Sequence, residues 1–183
     1  MTERSINSGS APQIVIRSGG DVLVKGWEND QVLAESSGNW GLEVKRKKGQ
    51  IEVQIGGNGQ VLVPFGSSVK VYAGRSGMVE NVQGTVSIVA GWDAHVVQSN
   101  VLRQASAGRA MDIDCRRIEG NELNLTAGWH LRCAIREEQN VRYLVDDLGG
   151  KWQATTGAGS TLIRLKAGGD VTLVTDQAVV ENR

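Results

Sequence analysis

Ala90-Gly91-Trp92-Asp93-Ala94-His95-Val96, Ala107-Gly108-Arg109-Ala110-Met111-Asp112-Ile113 and Ala127-Gly128-Trp129-His130-Leu131-Arg132-Cys133 are one seven-residue phrase written three times. An Ala-Gly pair opens each copy. The marker glycine also recurs as Gly74, Gly149 and Gly168, so that the gaps along the series are 17, 17, 20, 21 and 19 residues. Ala73 and Ala167 precede two of these, and Leu148 the third. Three residues after the markers from Gly91 onward stand Ala94, Met111, Leu131, Trp152 and Val171; five residues after stand Val96, Ile113, Cys133, Ala154 and Leu173. His95, Asp112, Arg132, Gln153 and Thr172 lie between them. Alternation of this kind marks a strand with one buried face. Gly74 fits less well, with Gly77 and Val79 in these places. Behind the markers, Val86 and Ile88, Leu123 and Leu125, and Ile163 and Leu165 form a second alternating strand, which Tyr143 and Val145 continue with a shift of one residue. Arg103 and Ala105 interrupt the pattern before Gly108, which predicts a bulge.

Each recurrence therefore reads strand, turn, strand, glycine turn, with Gly84, Asn100, Gly120, Asn140 and Gly159 at the other turn. Gly and Asn suit sharp corners there. Recurrence at this period predicts an all-β fold, a single-stranded parallel β-solenoid (β-helix-like) of about five to six coils with a β-rich N-terminal cap region. Leu131 is then buried between Met111 and Trp152. The chain lacks an aliphatic residue at every sixth position, which excludes a left-handed hexapeptide β-helix. Residues 1–12 read as a disordered lead. Residues 13–183 read as one domain: 13–66 the β-rich N-terminal part, 67–176 the glycine-marked coils and 177–183 a tail. In the N-terminal part Ile14–Ile16, Val22–Val24, Val32–Ala34, Leu42–Val44, Ile51–Ile55 and Val61–Val63 alternate, with glycine-rich turns between them. Gly56-Gly57-Asn58-Gly59 reads as a glycine hairpin rather than a calcium-binding repeat, since it occurs once and Val61 stands where an aspartate ligand belongs. Gly19-Gly20-Asp21-Val22-Leu23-Val24 mirrors Gly168-Gly169-Asp170-Val171-Thr172-Leu173.

With 183 residues the chain suits one domain with a substantial core. Its 20 basic and 20 acidic residues balance, which argues against a general nucleic-acid binder. No run is long enough for a membrane span. The opening residues Met1–Ser10 carry no apolar signal-peptide core, so that the chain as written reads as cytoplasmic, or as exported or surface-located if a leader was removed. Cys115 and Cys133 both fall on inward positions, Cys133 beside Ile113 and Cys115 beside Ile135. They read as buried, reduced, diagonal thiols rather than as a disulfide or metal pair.

Gly20-Asp21-Val22-Leu23-Val24-Lys25-Gly26 resembles the Gly-Asp-Val-x-Val-x-Gly phrase of bacterial putative-adhesin β-solenoid domains. So do Val63-Pro64 entering Val69-Lys70-Val71, then Gly77-Met78-Val79 and Gly84-Thr85-Val86-Ser87-Ile88. The resemblance spans about Pro12 to Val174. It implies a non-enzymatic bacterial structural or interaction scaffold, binding a partner or ligand through a solenoid face. A self-assembling filament, bactofilin-like in architecture only, is the alternative; a polysaccharide-active β-helix enzyme is a third.

The residues directly after the first four markers are Arg75, Trp92, Arg109 and Trp129. Stacked at one corner, they would alternate guanidinium and indole, either as a surface ladder or as a binding strip for a protein partner or an anionic glycan. Asp112 and Asp114 point outward near Arg116, Arg117 and Arg132, which reads as a solvated ion-pair surface. His95 and His130 sit at different offsets and predict no metal site and no nucleophile system. Trp27 and Trp40 lie off the register, as capping residues. No catalytic residue and no cofactor is expected.

Overall fold

A computed structural model describes residues 2–38, 41–136, 141–147, 153–156, 160–174 and 179–182. Among them nineteen strands form one sheet. The first part holds β1 (Thr2–Asn7), β2 (Gln13–Ser18), β3 (Val22–Trp27), β4 (Gln31–Ser36), β5 (Leu42–Lys47), β6 (Gln50–Ile55) and β7 (Gly59–Pro64). The middle holds β8 (Ser68–Ala73), β9 (Gly77–Glu80), β10 (Thr85–Ala90), β11 (Ala94–Ala107), β12 (Ala110–Ile118), β13 (Glu122–Ala127) and β14 (His130–Ile135). The last part holds β15 (Val141–Asp147), β16 (Gln153–Thr156), β17 (Thr161–Ala167), β18 (Val171–Val174) and β19 (Val179–Asn182).

The strands fall into two rows. In one, β6, β2, β8, β10, the second half of β11, β13, β17 and β15 lie side by side and parallel. In the other, β7, β3, β9, the first half of β11, β12, β14 and β18 do the same. Antiparallel strands finish the rows: β5 and β16 on the first, β4 with β1 and β19 on the second. β11 runs through both rows and unites them. It turns between them at Gln98, whose φ is 50°, a left-handed conformation that costs a non-glycine residue ~1–2 kcal/mol. Arg46 of β5 donates from Nη2 to the Asn7 carbonyl of β1 at 2.8 Å, tying one row's edge to the other's.

Eleven strands, mostly parallel, sweep 316° round an axis, so that the sheet nearly closes into a barrel. This corrects the expected β-solenoid, and with it the descriptions β-helix and repeat protein. The physical reason lies in strand order. An open single-stranded stack lays each turn of chain on the one before. Here β2 and β3 sit between the later β6 and β7 on one side and β8 and β9 on the other. Likewise β17 lies between β13 and β15, and β18 pairs directly with β14. Leu131 accordingly lies between Met111 and Val171 in register; Trp152, its other expected neighbour, is outside the described residues together with Asn140, Leu148, Gly149 and Gly159. Two local readings are corrected as well. Residues 2–7 of the expected disordered lead form β1, antiparallel to β4. Gly56–Gly59 is a corner rather than a hairpin, because β6 and β7 pair with different strands.

The alternation places the core. Val61, Val24, Val79, Val96, Ile113, Cys133 and Leu173 are successive register neighbours in one row, all buried. Val53, Ile16, Val71, Ile88, Ala105, Leu125, Leu165 and Val145 do the same in the other. Each large aliphatic removed from water contributes ~1.5–3 kcal/mol. The bulge falls at Arg103: Val86 pairs with Leu102 and Ser87 with Gln104.

Both cysteines are buried, and neither is in a disulfide. Cys133 pairs with Ile113 and Cys115 with Ile135. Burial, with the neighbouring Cys115, pushes the Cys133 thiol well above its usual range. Since the thiolate is the reactive form, a disulfide-exchange reagent such as DTNB is expected to leave both thiols untouched in the native protein and to titrate two after unfolding. Rapid reaction of either native thiol would place it outside the core.

Candidate functional site

The corner after each Ala-Gly pair is built by close backbone approach. A Cβ on Gly91 would run into the carbonyl oxygen of Gly74, one on Gly108 into that of Gly91, and one on Gly128 into that of Gly108. The corners therefore lie one on another, and the residue after each glycine falls into a single file. Arg75 N donates to Gly20 O, Trp92 N to Arg75 O, Arg109 N to Trp92 O, Trp129 N to Arg109 O and Gly169 N to Trp129 O, at 2.8–3.2 Å. The order along the corner is thus Gly20, Arg75, Trp92, Arg109, Trp129, Gly169.

The Arg75 guanidinium lies 4.6 Å from the centre of the Trp92 ring and that of Arg109 lies 5.7 Å away. Such contacts at exposed sites are worth ~0.5–1 kcal/mol each. Trp92 is 46% exposed and Trp129 66%. The far neighbour of Trp129 is Gly169, which has no side chain to lay over the indole. His130 meets the Trp129 ring edge-on, with centroids 5.6 Å apart, and its Nδ1 lies 3.2 Å from Asp170 Oδ2.

Both arginines have acidic partners. Arg109 donates from Nε to Asp93 Oδ1 at 2.9 Å and from Nη2 to Oδ2, while Ala110 N donates to the same carboxylate at 3.2 Å. The Arg109 hydrogen bond holds the Asp93 carboxyl below the usual range against the opposing effect of burial. Arg75 Nη2 lies 3.5 Å from Asp21 Oδ2, and Asp21 Oδ1 accepts from Ser76 N at 3.0 Å. The ladder is therefore two compensated ion pairs interleaved with two exposed indoles.

The remaining candidates disperse into structural roles. Asp112 pairs with Arg132 at 2.8 Å. Asp114 accepts from Arg136 Nε at 2.8 Å, a partner that the spacing of the sequence did not suggest. His95 lies in register between Met78 and Asp112, on a different strand from His130. Trp27 donates from Nε1 to Gln31 O at 2.9 Å, closing its own turn, and Trp40 is outside the described residues. Among the described residues no group of three or more His, Cys, Asp or Glu could hold a metal ion. No helix among them is long and apolar enough to cross a membrane.

No protein-family model matches the chain, and no curated protein matches it. Among solved structures it is similar to a chain described as a "putative cell adhesion protein" from Clostridium sporogenes, at 12% identity and a TM-score of 0.48, over 96% of this chain and 99% of that one. A likeness of that strength carries no functional argument. The resemblance to bacterial putative-adhesin β-solenoid domains is thereby corrected: no family model supports it, and the near-closed sheet departs from the solenoid it implied.

Proposed function

We propose that this is a non-enzymatic interaction protein that binds a protein partner through the corner ladder of Arg75, Trp92, Arg109 and Trp129. The observation that carries the reading is the pair of exposed indoles, 46% and 66% accessible, held at fixed spacing on a backbone ladder. Trp and Arg are the residue types that dominate binding energy at protein interfaces, and corners fixed by a continuous backbone hydrogen-bond ladder present them on an ordered backbone, which lowers the ordering cost of binding. An anionic glycan suits this strip less well than the sequence alone implied, because Asp93 and Asp21 already compensate the two guanidinium groups.

A partner isolated with the parent protein, then purified, provides the test. The double substitution Trp92→Ala with Trp129→Ala is expected to weaken its binding by roughly thirtyfold or more, the effect of losing an interface hot spot. The circular dichroism spectrum should be retained, because neither indole belongs to the core. Equal affinity of the double variant would reduce the ladder to a surface feature.

A further inference from the structure

We propose that the outer face of the first row carries a second, independent site: a groove that binds the carboxylate of an acidic sugar. Two adjoining cavities of about 200 and 150 Å³ open there, sharing Lys70, Ser87 and Arg103. The bulge of β11 borders both. Arg103 is the extra residue between Leu102 and Gln104, so its side chain departs from the alternation of its strand and lines both cavities.

The chemistry of the groove differs from that of the ladder. Lys70 is exposed and has no ion-pair partner among the described residues. Arg103 meets only the longer contact of Glu119, with Nε to Oε2 at 3.7 Å. Two cations thus face one carboxylate, whereas Arg75 and Arg109 each have an aspartate of their own. Ser87 is in register with Lys70 on the neighbouring strand. It alternates with the inward Val86 and Ile88, and so faces outward, yet it is only 8% exposed because it lies on the groove floor. Tyr72 lines the second cavity, with one face of its ring held 4.4 Å from the Arg17 guanidinium.

An ammonium and a guanidinium facing one gap favour a carboxylate between them. The Ser87 hydroxyl and the Gln104 amide both donate and accept, as ring hydroxyls do. Tyr72 supplies a flat apolar wall. A sugar acid uses all three features. An acidic peptide brings a carboxylate and backbone donors and acceptors, but its glutamate side chain has no ring face to lay on Tyr72.

The test is calorimetric titration of the full chain with a galacturonate trimer as the probe, maltotriose as the neutral control and an oligoglutamate peptide as the competing class. The galacturonate trimer is expected to bind, more weakly as salt is raised, and maltotriose is not. Lys70→Gln and Arg103→Gln should each weaken the galacturonate trimer by roughly tenfold or more, the effect of a lost hydrogen bond to a charged group. Trp92→Ala with Trp129→Ala should leave it unchanged, which separates this site from the ladder. Absence of binding by the galacturonate trimer, equal binding by both glutamine variants with unaltered melting, or tighter binding of oligoglutamate would each overturn the proposal.

Discussion

Gly108→Ala is expected to lower stability by about 4 kcal/mol or more, the range reserved for a few severe mechanisms, and to reduce the melting temperature by roughly 8–16 °C for a chain of this size. The added methyl would meet the Gly91 carbonyl oxygen, with the Gly91 carbonyl carbon 3.1 Å away. Both atoms are backbone and are tied into the corner ladder, where Gly108 N donates to Ala90 O and Arg109 N to Trp92 O. Relief would require two corners to separate, and Gly128 rests on Gly108 in turn. The overlap therefore cannot be spread into a flexible side chain.

Gly120→Ala is the control. Gly120 has φ +85° but nothing within 4 Å of an added Cβ. Its substitution meets only the left-handed backbone penalty of ~1–2 kcal/mol. Chemical denaturation of both variants separates the two explanations. If Gly108→Ala is as mild as Gly120→Ala, the marker glycines serve turn conformation rather than close approach, and the file of Arg75, Trp92, Arg109 and Trp129 loses its physical basis.

Alternation made the strands and their inward residues legible, because period two is a local property of each strand. The six strands read in residues 13–66 all form, and Val96, Ile113, Leu131 and Leu165 all face the interior. Which strand lies beside which is not local. Ala127-Gly128 and Ala167-Gly168 open equivalent corners, so that β18 can take the place beside β14 that sequence order assigns to the residues after Gly149. One signal did point there. Gly19-Gly20-Asp21-Val22 and Gly168-Gly169-Asp170-Val171 are the same phrase, and in both places the strand that leads into it is inserted between two others: β2 between β6 and β8 near the start, β17 between β13 and β15 near the end. The family phrase Gly-Asp-Val-x-Val-x-Gly was misleading for the same reason, since a corner followed by an alternating strand does not specify its neighbour.

The ladder was legible because its residues follow the glycines at a constant offset. The groove was not. Lys70, Tyr72 and Ser87 are ordinary outward positions, and only the break in alternation at Arg103 hinted that the surface there departs from a flat strand. The compensation of Arg109 by Asp93 was equally hidden. It depends on the Asp93 carboxylate reaching across one layer to Ala110 N as well as to the guanidinium.

The strand order itself is open to a direct energetic test. Leu131 is 1% exposed and Val171, its register partner on β18, is 3% exposed. Leu131→Ala is expected to destabilise by ~2–5 kcal/mol, since deletion of buried methyl groups adds a cavity to the lost transfer energy. That corresponds to a fall of roughly 4–20 °C in melting temperature. Met111 on one side and Val171 on the other belong to paired backbones, which limits collapse into the space and favours the upper part of the range. The magnitude alone does not establish the neighbour, but the coupling does. Leu131→Ala and Val171→Ala should be non-additive by ~0.5–3 kcal/mol, as for residues in contact. Leu131→Ala combined with Val22→Ala, whose neighbours in register are Gly59 and Gly77, should be additive within ~0.3–0.5 kcal/mol. Additivity of the Leu131 and Val171 changes would detach β18 from β14.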